Sequence, residues 1–404
     1  MSDDRQHQPS SPALNLGELL AAVEAAPPVA AADVVGAVLA EKLGAAAVSF
    51  LIADYSGDSL IRLGNGDQVA PTRRLGHDTA ARVALQGTPH GRVLLAQAIE
   101  VVPDDSGLTV LAPVTSRGEA VGVLELRLPS APDEQTLVDV AQAAHALAYI
   151  VIANRRYTDL FEWGQRSVPL SLAAEIQHRL LPGAYTCEGG QFTLAAWLEP
   201  AGEVGGDTFD FSLDRDALHL SLTDAMGHSV NSSLLATLLL GAVRNGRRRG
   251  ARLDEMARLA DAALEEHARE AEFVTGQIVR IDLHTERAEV VNAGHPPPLR
   301  LRNGVVDEVP LFADPPFGAD AQGTQYHIQV LPLEPGDRLM FLTDGVLDRQ
   351  ATSEELHATL AATSDEHPRE AVQSLIRAAR EASDGPLADD ATAMCFDWHG
   401  GPPD

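Results

Sequence analysis

The sequence predicts a mixed α/β (α+β) fold in which antiparallel strand pairs and blocks of helices build sandwich layers. Three observations carry that prediction. Two short apolar runs end alike: Leu218-His219-Leu220-Ser221-Leu222-Thr223-Asp224 before Ala225, and Leu339-Met340-Phe341-Leu342-Thr343-Asp344 before Gly345. Each reads as a buried strand that delivers an aspartate to the edge of a core, where a bare carboxylate is costly. Strand signals also come in pairs around tight turns, Asn303-Gly304 among them. Helical periodicities fall in blocks between those pairs, which excludes the βαβ alternation of a Rossmann sheet.

The chain has 404 residues, enough for two or three domains, and 45% of them are apolar, so it folds. A net charge of −28 excludes a general nucleic-acid binder and opposes an anionic membrane surface. A phosphorylated substrate would then need local positive charge, which a bound divalent ion can supply. The two cysteines, Cys187 and Cys395, make no disulfide framework and fit a reducing cytoplasm. The opening Met1-Ser2-Asp3-Asp4 lacks a basic-then-apolar targeting pattern, and the apolar stretch at 144–153 is too short to span a membrane.

In chain order, residues 1–14 read as a disordered tail and 15–153 as a first domain. Within it, 33–42 reads as a helix and 47–52 as a buried strand. Residues 109–114 and 120–128 form a hairpin split by Ser116-Arg117-Gly118. A long helix is expected from about 133 to 163. Leu137, Val140, Ala144, Leu147, Val151, Asn154, Thr158 and Phe161 give it a heptad seam, with Asn154 placed to set register. The seam offers a homodimer contact through a helical linker, residues 154–182; the competing reading is a helix packed on its own domain. After Pro169 a shorter helix shows Leu172, Ile176 and Leu180 on one face, and Pro182-Gly183 ends it.

Residues 183–398 read as the second domain. Strands are expected at 192–198, 327–330, 338–343 and 391–396, with a hairpin of 276–283 and 288–292. Helices are expected at 229–249, 252–271, 354–362 and 369–382. The cluster Arg247-Arg248-Arg249 reads as a solvated helix end.

Acidic residues stand near the ends of these strands: Asp207 and Asp210 behind Glu203-Val204-Gly205-Gly206, then Asp224, Asp344, and Asp389-Asp390. Hard divalent cations take oxygen ligands, and Mg²⁺ or Mn²⁺ combines a few carboxylates with waters. Glycines 205 and 206 permit close backbone approach, and the small Ala225 and Gly345 leave a carbonyl accessible. Neither cysteine heads the Cys-x5-Arg loop of a thiol phosphatase; Thr193 stands where Cys187 would need its arginine.

Six segments occur in order: Ala174-Glu175-Ile176-Gln177 through Leu180-Leu181-Pro182; Pro200-Ala201 through Asp207; Asp224-Ala225-Met226-Gly227-His228; Asn292-Ala293-Gly294-His295-Pro296-Pro297; Leu342-Thr343-Asp344-Gly345; and Asp389-Asp390-Ala391-Thr392. Together they resemble the PPM-type metal-dependent serine/threonine phosphatases, in the bacterial branch typified by SpoIIE, over roughly residues 170–397. The first domain resembles a GAF-like sensor domain in the order of its strands and helix; the alternative there is a PAS-like fold. The resemblance implies a PPM-type α-β-β-α sandwich phosphatase domain with two Mn²⁺ or Mg²⁺ ions. It implies that Asp207 and Asp224 hold the metal centre, with Asp224 bridging, Ala225 contributing its carbonyl, and Asp344 and Asp389 on the second ion. Gly206, Asp210, Gly227, His228, Gly345 and Asp390 would support these ligands, Asp210 reading as a local cap or hydrogen-bonding group rather than a metal ligand. His228 and His295 read as structural hydrogen-bonding groups.

The chemistry so implied is in-line attack of metal-activated water on a phosphoserine or phosphothreonine. The implied partner is a phosphorylated regulatory protein, such as an anti-sigma factor antagonist, with an unknown small ligand on the GAF-like domain. Thr208-Phe209 departs from the two aromatics usual after Gly-Gly-Asp, and Ser229 from the usual glycine. A diguanylate cyclase turn is excluded because Thr208 replaces its glutamate. The alternative function is a catalytically silent partner-binding pseudophosphatase.

Overall fold

The computed structural model describes residues 14–65, 73–104, 107–167, 170–199, 205–227, 230–267, 272–319, 324–347, 353–382 and 389–401. The expected N-terminal tail up to residue 13, Pro169, residues 200–204, His228 and Ser229 lie outside the described residues. The chain divides into two compact units, residues 1–169 and 170–404.

Unit 1 runs α1 (Leu16–Ala25), α2 (Ala31–Leu43), β1 (Ala47–Ala53), β2 (Ser59–Asn65), β3 (Arg73–Leu75), β4 (Asp78–Ala84), α3 (Pro89–Ala96), β5 (Glu100–Asp104), β6 (Gly107–Ser116), β7 (Glu119–Leu128), α4 (Glu134–Asn154) and α5 (Leu160–Gln165). Its strands form one antiparallel sheet in the order β3-β4-β2-β1-β7-β6-β5. The expected hairpin is β6–β7, with a bulge between Val114 and Thr115. Successive residues of a strand point to opposite faces. Phe50, Ile52, Val110, Ala112, Leu124 and Leu126 therefore pack under α1, α2 and α4, while Leu51, Leu60, Leu111 and Val123 face α3.

The long helix expected from 133 to 163 is two helices. The Asp133 side chain caps the start of α4 by accepting the Thr136 amide at 2.8 Å. The Asn154 amide donates to the Ile150 carbonyl of its own helix, and the Thr158 hydroxyl accepts the Leu160 amide where α5 begins. The seam residues Val140, Ala144, Leu147 and Val151 are buried against the unit's own sheet. Their heptad spacing is thus used within the domain, because a helix laid on a sheet needs the same apolar stripe as a paired helix. By length and composition α4 is apolar enough to cross a membrane, contrary to the expectation from residues 144–153. Its burial on the sheet is that of a core helix.

Unit 2 runs α6 (Leu172–Leu180), β8 (Thr186–Glu188), β9 (Phe192–Glu199), β10 (Asp207–Leu213), β11 (Ala217–Ala225), α7 (Val230–Arg248), α8 (Leu253–His267), β12 (Val274–Asp282), β13 (Arg287–Ala293), β14 (Leu299–Arg302), β15 (Val305–Glu308), β16 (Gln329–Pro332), β17 (Arg338–Leu342), α9 (Asp344–Leu347), α10 (Ser353–Ala362), α11 (Pro368–Glu381) and β18 (Ala391–Trp398). Two antiparallel sheets result, β10-β11-β12-β13-β16 and β15-β14-β17-β18-β9-β8. Alternation again sorts the side chains. Phe209, Leu218, Leu220, Leu222, Val279 and Ile281 from one sheet meet Phe192, Leu194, Phe341, Met394, Phe396 and Trp398 from the other. The outer face of the first sheet is covered by α7 and α8, and that of the second by α10 and α11. The layering is therefore α-β-β-α, as the resemblance implies.

The segment expected as a linker, residues 154–182, is shared between the two units. Phe161 of α5 is buried in the core of unit 1, whereas α6 packs on α7. The face that α6 buries is Ala173, Ala174 and Gln177; Leu172 is exposed, and Ile176 and Leu180 are half-buried.

Candidate active site

Asp207 opens β10 and Asp224 sits at the end of β11. The two are direct partners in the antiparallel register. Both share a strand face with Phe209, Leu220 and Leu222, so both carboxylates lie on the inter-sheet side at one end of the sandwich. From the second sheet, Thr343 and Thr392 share the face of Phe341 and Met394. Their hydroxyls donate to Asp207 Oδ2 at 2.8 and 2.5 Å. The threonines are themselves locked, since the Thr392 amide donates to Thr343 Oγ1 at 2.9 Å. Asp207 thus spans the two sheets.

Asp390 precedes β18 and is buried. Its Oδ2 accepts from Gln177 Nε2 at 2.6 Å and from the Gly206 amide at 3.1 Å. The same Gln177 nitrogen donates to the Asp207 carbonyl at 2.8 Å. Helix α6, capped by the Ser171 hydroxyl on the Ala174 amide, therefore reaches both acidic strand ends with one side chain. Asp344 and Asp389 are exposed, and the Asp389 carboxylate accepts the Asp390 amide.

Two glycines are required by close approach. A Cβ on Gly206 would stand 2.5 Å from the Ala225 carbonyl oxygen, and one on Gly345 would stand 1.9 Å from the Asp390 carbonyl oxygen. Glycine at both positions lets the strand ends converge. Behind them, Ser233 of α7 donates to the Gly205 carbonyl at 2.6 Å and Ser232 does so at 3.2 Å.

The electrostatics follow from this crowding. Burial, then the charges of Asp344, Asp389 and Asp390, push the Asp224 carboxyl up to about 7. Burial, then Asp224 and Asp390, hold Asp207 well above the usual carboxylate range against the two threonine hydroxyls. Among the described residues no three acidic, histidine or cysteine side chains close a metal shell by themselves. The donor set nevertheless suits a hard cation: carboxylates that raise one another's pKa, beside a backbone oxygen kept clear by Gly206.

Asp210 is not part of this cluster. It lies on the opposite face of β10, buried, and accepts from Arg244 at 2.7 Å and Arg247 at 2.8 Å. The three-residue step from Asp207 carries it to the helix side of a period-two strand. Arg247 is correspondingly no solvated helix end; Arg248 and Arg249 alone keep that description. Gly227, exposed with φ of 99°, follows the site, while His228 lies outside the described residues. His295 is buried, bonds Thr275 Oγ1 at 3.0 Å through Nδ1, and is pushed down to about 4 by burial, which keeps it neutral.

The residues missed as site members are Gln177, Thr343, Thr392, Ser232 and Ser233. The two threonines stood inside motifs already singled out, next to Asp344 and after Asp389-Asp390. Gln177 likewise closed the Ala174-Glu175-Ile176-Gln177 segment already singled out, with nothing in the sequence to show which carboxylate it would meet.

Residues 214–399 match the family model of Stage II sporulation protein E (SpoIIE). Phosphoserine phosphatase RsbP of Bacillus subtilis is 24% identical over 188 residues, 45% of this chain. The match spans 46% of that relative's length, so the chain covers about half of the curated relative. Among solved structures, the phosphatase domain with a regulatory fragment of SpoIIE from Bacillus subtilis is 16% identical, covering 52% of this chain and 65% of that one, with a TM-score of 0.46. The catalytic domain of the serine/threonine phosphatase PstP, in complex with two manganese ions, is 16% identical, covering 51% and 97%, with a TM-score of 0.42. The likeness to the SpoIIE family covers residues 214–399, less than half of the 404-residue chain.

Proposed function

We propose that unit 2 is a metal-dependent phosphoprotein phosphatase that hydrolyses phosphoserine or phosphothreonine on a regulatory protein. The observation that supports it best is the register pairing of Asp207 with Asp224 at the strand ends where Asp344, Asp389 and Asp390 also converge. The relatives' names point the same way: one is a phosphoserine phosphatase, and another was solved with two manganese ions.

In this reading Asp207, Asp224, the Ala225 carbonyl, Asp344 and Asp389 would hold two Mn²⁺ or Mg²⁺ ions. The ions would supply positive charge for the phosphoryl oxygens and acidify water. The chain's own residues do the positioning. Thr343 and Thr392 fix the rotamer of Asp207 through two hydroxyl bonds, and Gln177 holds Asp390 and the β10 backbone in one place. Such outer partners orient a ligand and tune its affinity. Cys395 offers no nucleophile, because burial pushes its thiol far up, and this reading requires no phosphoenzyme.

Unit 1 is read as a GAF-like sensor binding a small ligand. The route from it to the active site is α6, whose Gln177 touches two acidic strand ends. Dimerisation through the helical segment and a cytoplasmic location belong to the same proposal.

The test is hydrolysis of p-nitrophenyl phosphate and of a phosphoserine peptide by the full chain, with Mn²⁺, with Mg²⁺ and with chelator. Metal-dependent release of phosphate, abolished by chelator, is expected. Binding of the peptide without any turnover would establish the silent pseudophosphatase instead.

A further inference from the structure

The rim of the active site carries exposed apolar side chains that the core does not use. Met226 follows Asp224 by two residues and is 53% exposed. Val230 and Leu234 are one helical turn apart on α7, 38% and 50% exposed, so they share one outward stripe. Their neighbours on the same turns, Ser232 and Ser233, face inward and bond the Gly205 carbonyl. The stripe is therefore fixed to the backbone that leads through Gly206 into Asp207. Met226 is likewise tied down, its amide donating to the Phe273 carbonyl at 3.1 Å.

We propose that Met226, Val230 and Leu234 form a substrate-docking surface for apolar residues that flank the phosphorylated serine or threonine. The inference rests on the phosphatase reading of the same site. The occupant follows from reach. A phosphoserine side chain is short, so the peptide on either side of it must lie on the rim once the phosphate meets Asp224. What that peptide meets at Met226, Val230 and Leu234 is uncharged and apolar. The same chain carries a net charge of −28, and its site floor holds five carboxylates. A flank rich in acidic residues is repelled there, whereas an apolar flank buries area on both partners. An aliphatic surface that includes the unbranched, adaptable side chain of Met226 also suits more than one apolar sequence.

The experiment uses the full chain with Mn²⁺ and three probes: p-nitrophenyl phosphate, a phosphoserine peptide flanked by Leu and Val, and the same peptide flanked by Ser and Glu. The apolar-flanked peptide should show kcat/KM higher by about tenfold, the discrimination expected of a few methylenes in an apolar contact. In Leu234→Asp, and in the milder Leu234→Ser paired with Val230→Ser, that preference should fall towards unity. The ratio of peptide to p-nitrophenyl phosphate turnover is the readout, which corrects for any loss of folded enzyme. Equal rates on the two peptides in the wild-type chain, or an undiminished preference in both variants, would overturn the docking surface. Absence of metal-dependent turnover on all three probes would instead overturn the phosphatase reading on which it stands.

Discussion

Gln177 and Asp390 lie 213 residues apart in the sequence and are joined by a 2.6 Å hydrogen bond in the fold. The same amide nitrogen holds the Asp207 carbonyl. Replacing Gln177 with Ala leaves a buried carboxylate with one fewer donor and frees the start of β10. Losing an outer partner of this kind costs about 10–100-fold in metal affinity or activity. Gln177→Ala should therefore raise the Mn²⁺ concentration needed for half-maximal turnover by that order, and a metal titration of phosphatase activity reads it. Unchanged metal dependence would place Gln177 outside the catalytic support.

Asp224→Asn should abolish turnover while the fold persists. A neutral amide is a poor bridge between two cations, and the loss should exceed the roughly hundredfold effect of outer partners. Circular dichroism and p-nitrophenyl phosphate hydrolysis together decide it; a folded, active variant would refute the assignment.

The metal-free protein should lose stability as pH rises. Asp224 holds its proton up to about 7 in the folded chain and releases it in the ordinary carboxylate range when unfolded. The folded state therefore binds more protons between those values, and stability declines as pH climbs through that window. With chelator present, Tm at pH 8 should lie several degrees below Tm at pH 5, given about 2–4 °C per kcal/mol for a unit of this size. Added Mn²⁺ should restore it at pH 8 by binding the folded state. Differential scanning calorimetry at the two pH values checks the sign.

Asp210→Ala should act on stability and not on chemistry. It leaves Arg244 and Arg247 without their buried anion, a change that costs about 3 kcal/mol and lowers Tm on the order of 10 °C. Below the transition, the Mn²⁺ dependence of the variant should match that of the parent. A selective change in metal affinity would return Asp210 to the site.

Control by the segment between the units predicts that Ile176→Asp, and separately removal of residues 1–153, changes the rate or the metal affinity of protein that remains folded. Ile176 is half-buried on the helix that carries Gln177. If both variants keep the parental rate and metal affinity, the segment is only a tether.

The sequence determined the elements that local pattern can specify. Short apolar runs located β11, β17 and β18, the Asn303-Gly304 turn, with φ of 52° and 77°, closed its hairpin, and Leu-Thr-Asp marked two strand ends. Period and turn chemistry are properties of adjacent residues, so a single chain reveals them. Only the tertiary structure decided the rest. It turned Asp210 to the helix side, assigned the α4 stripe to its own sheet, and brought Thr343, Thr392 and Gln177 onto Asp207 and Asp390. A heptad spacing has the same form whether a helix packs on a sheet or on another helix, and a polar side chain does not encode the distant carboxylate it will meet. Those choices are made when two sheets and their covering helices close together, because only then does burial demand a partner for every polar group.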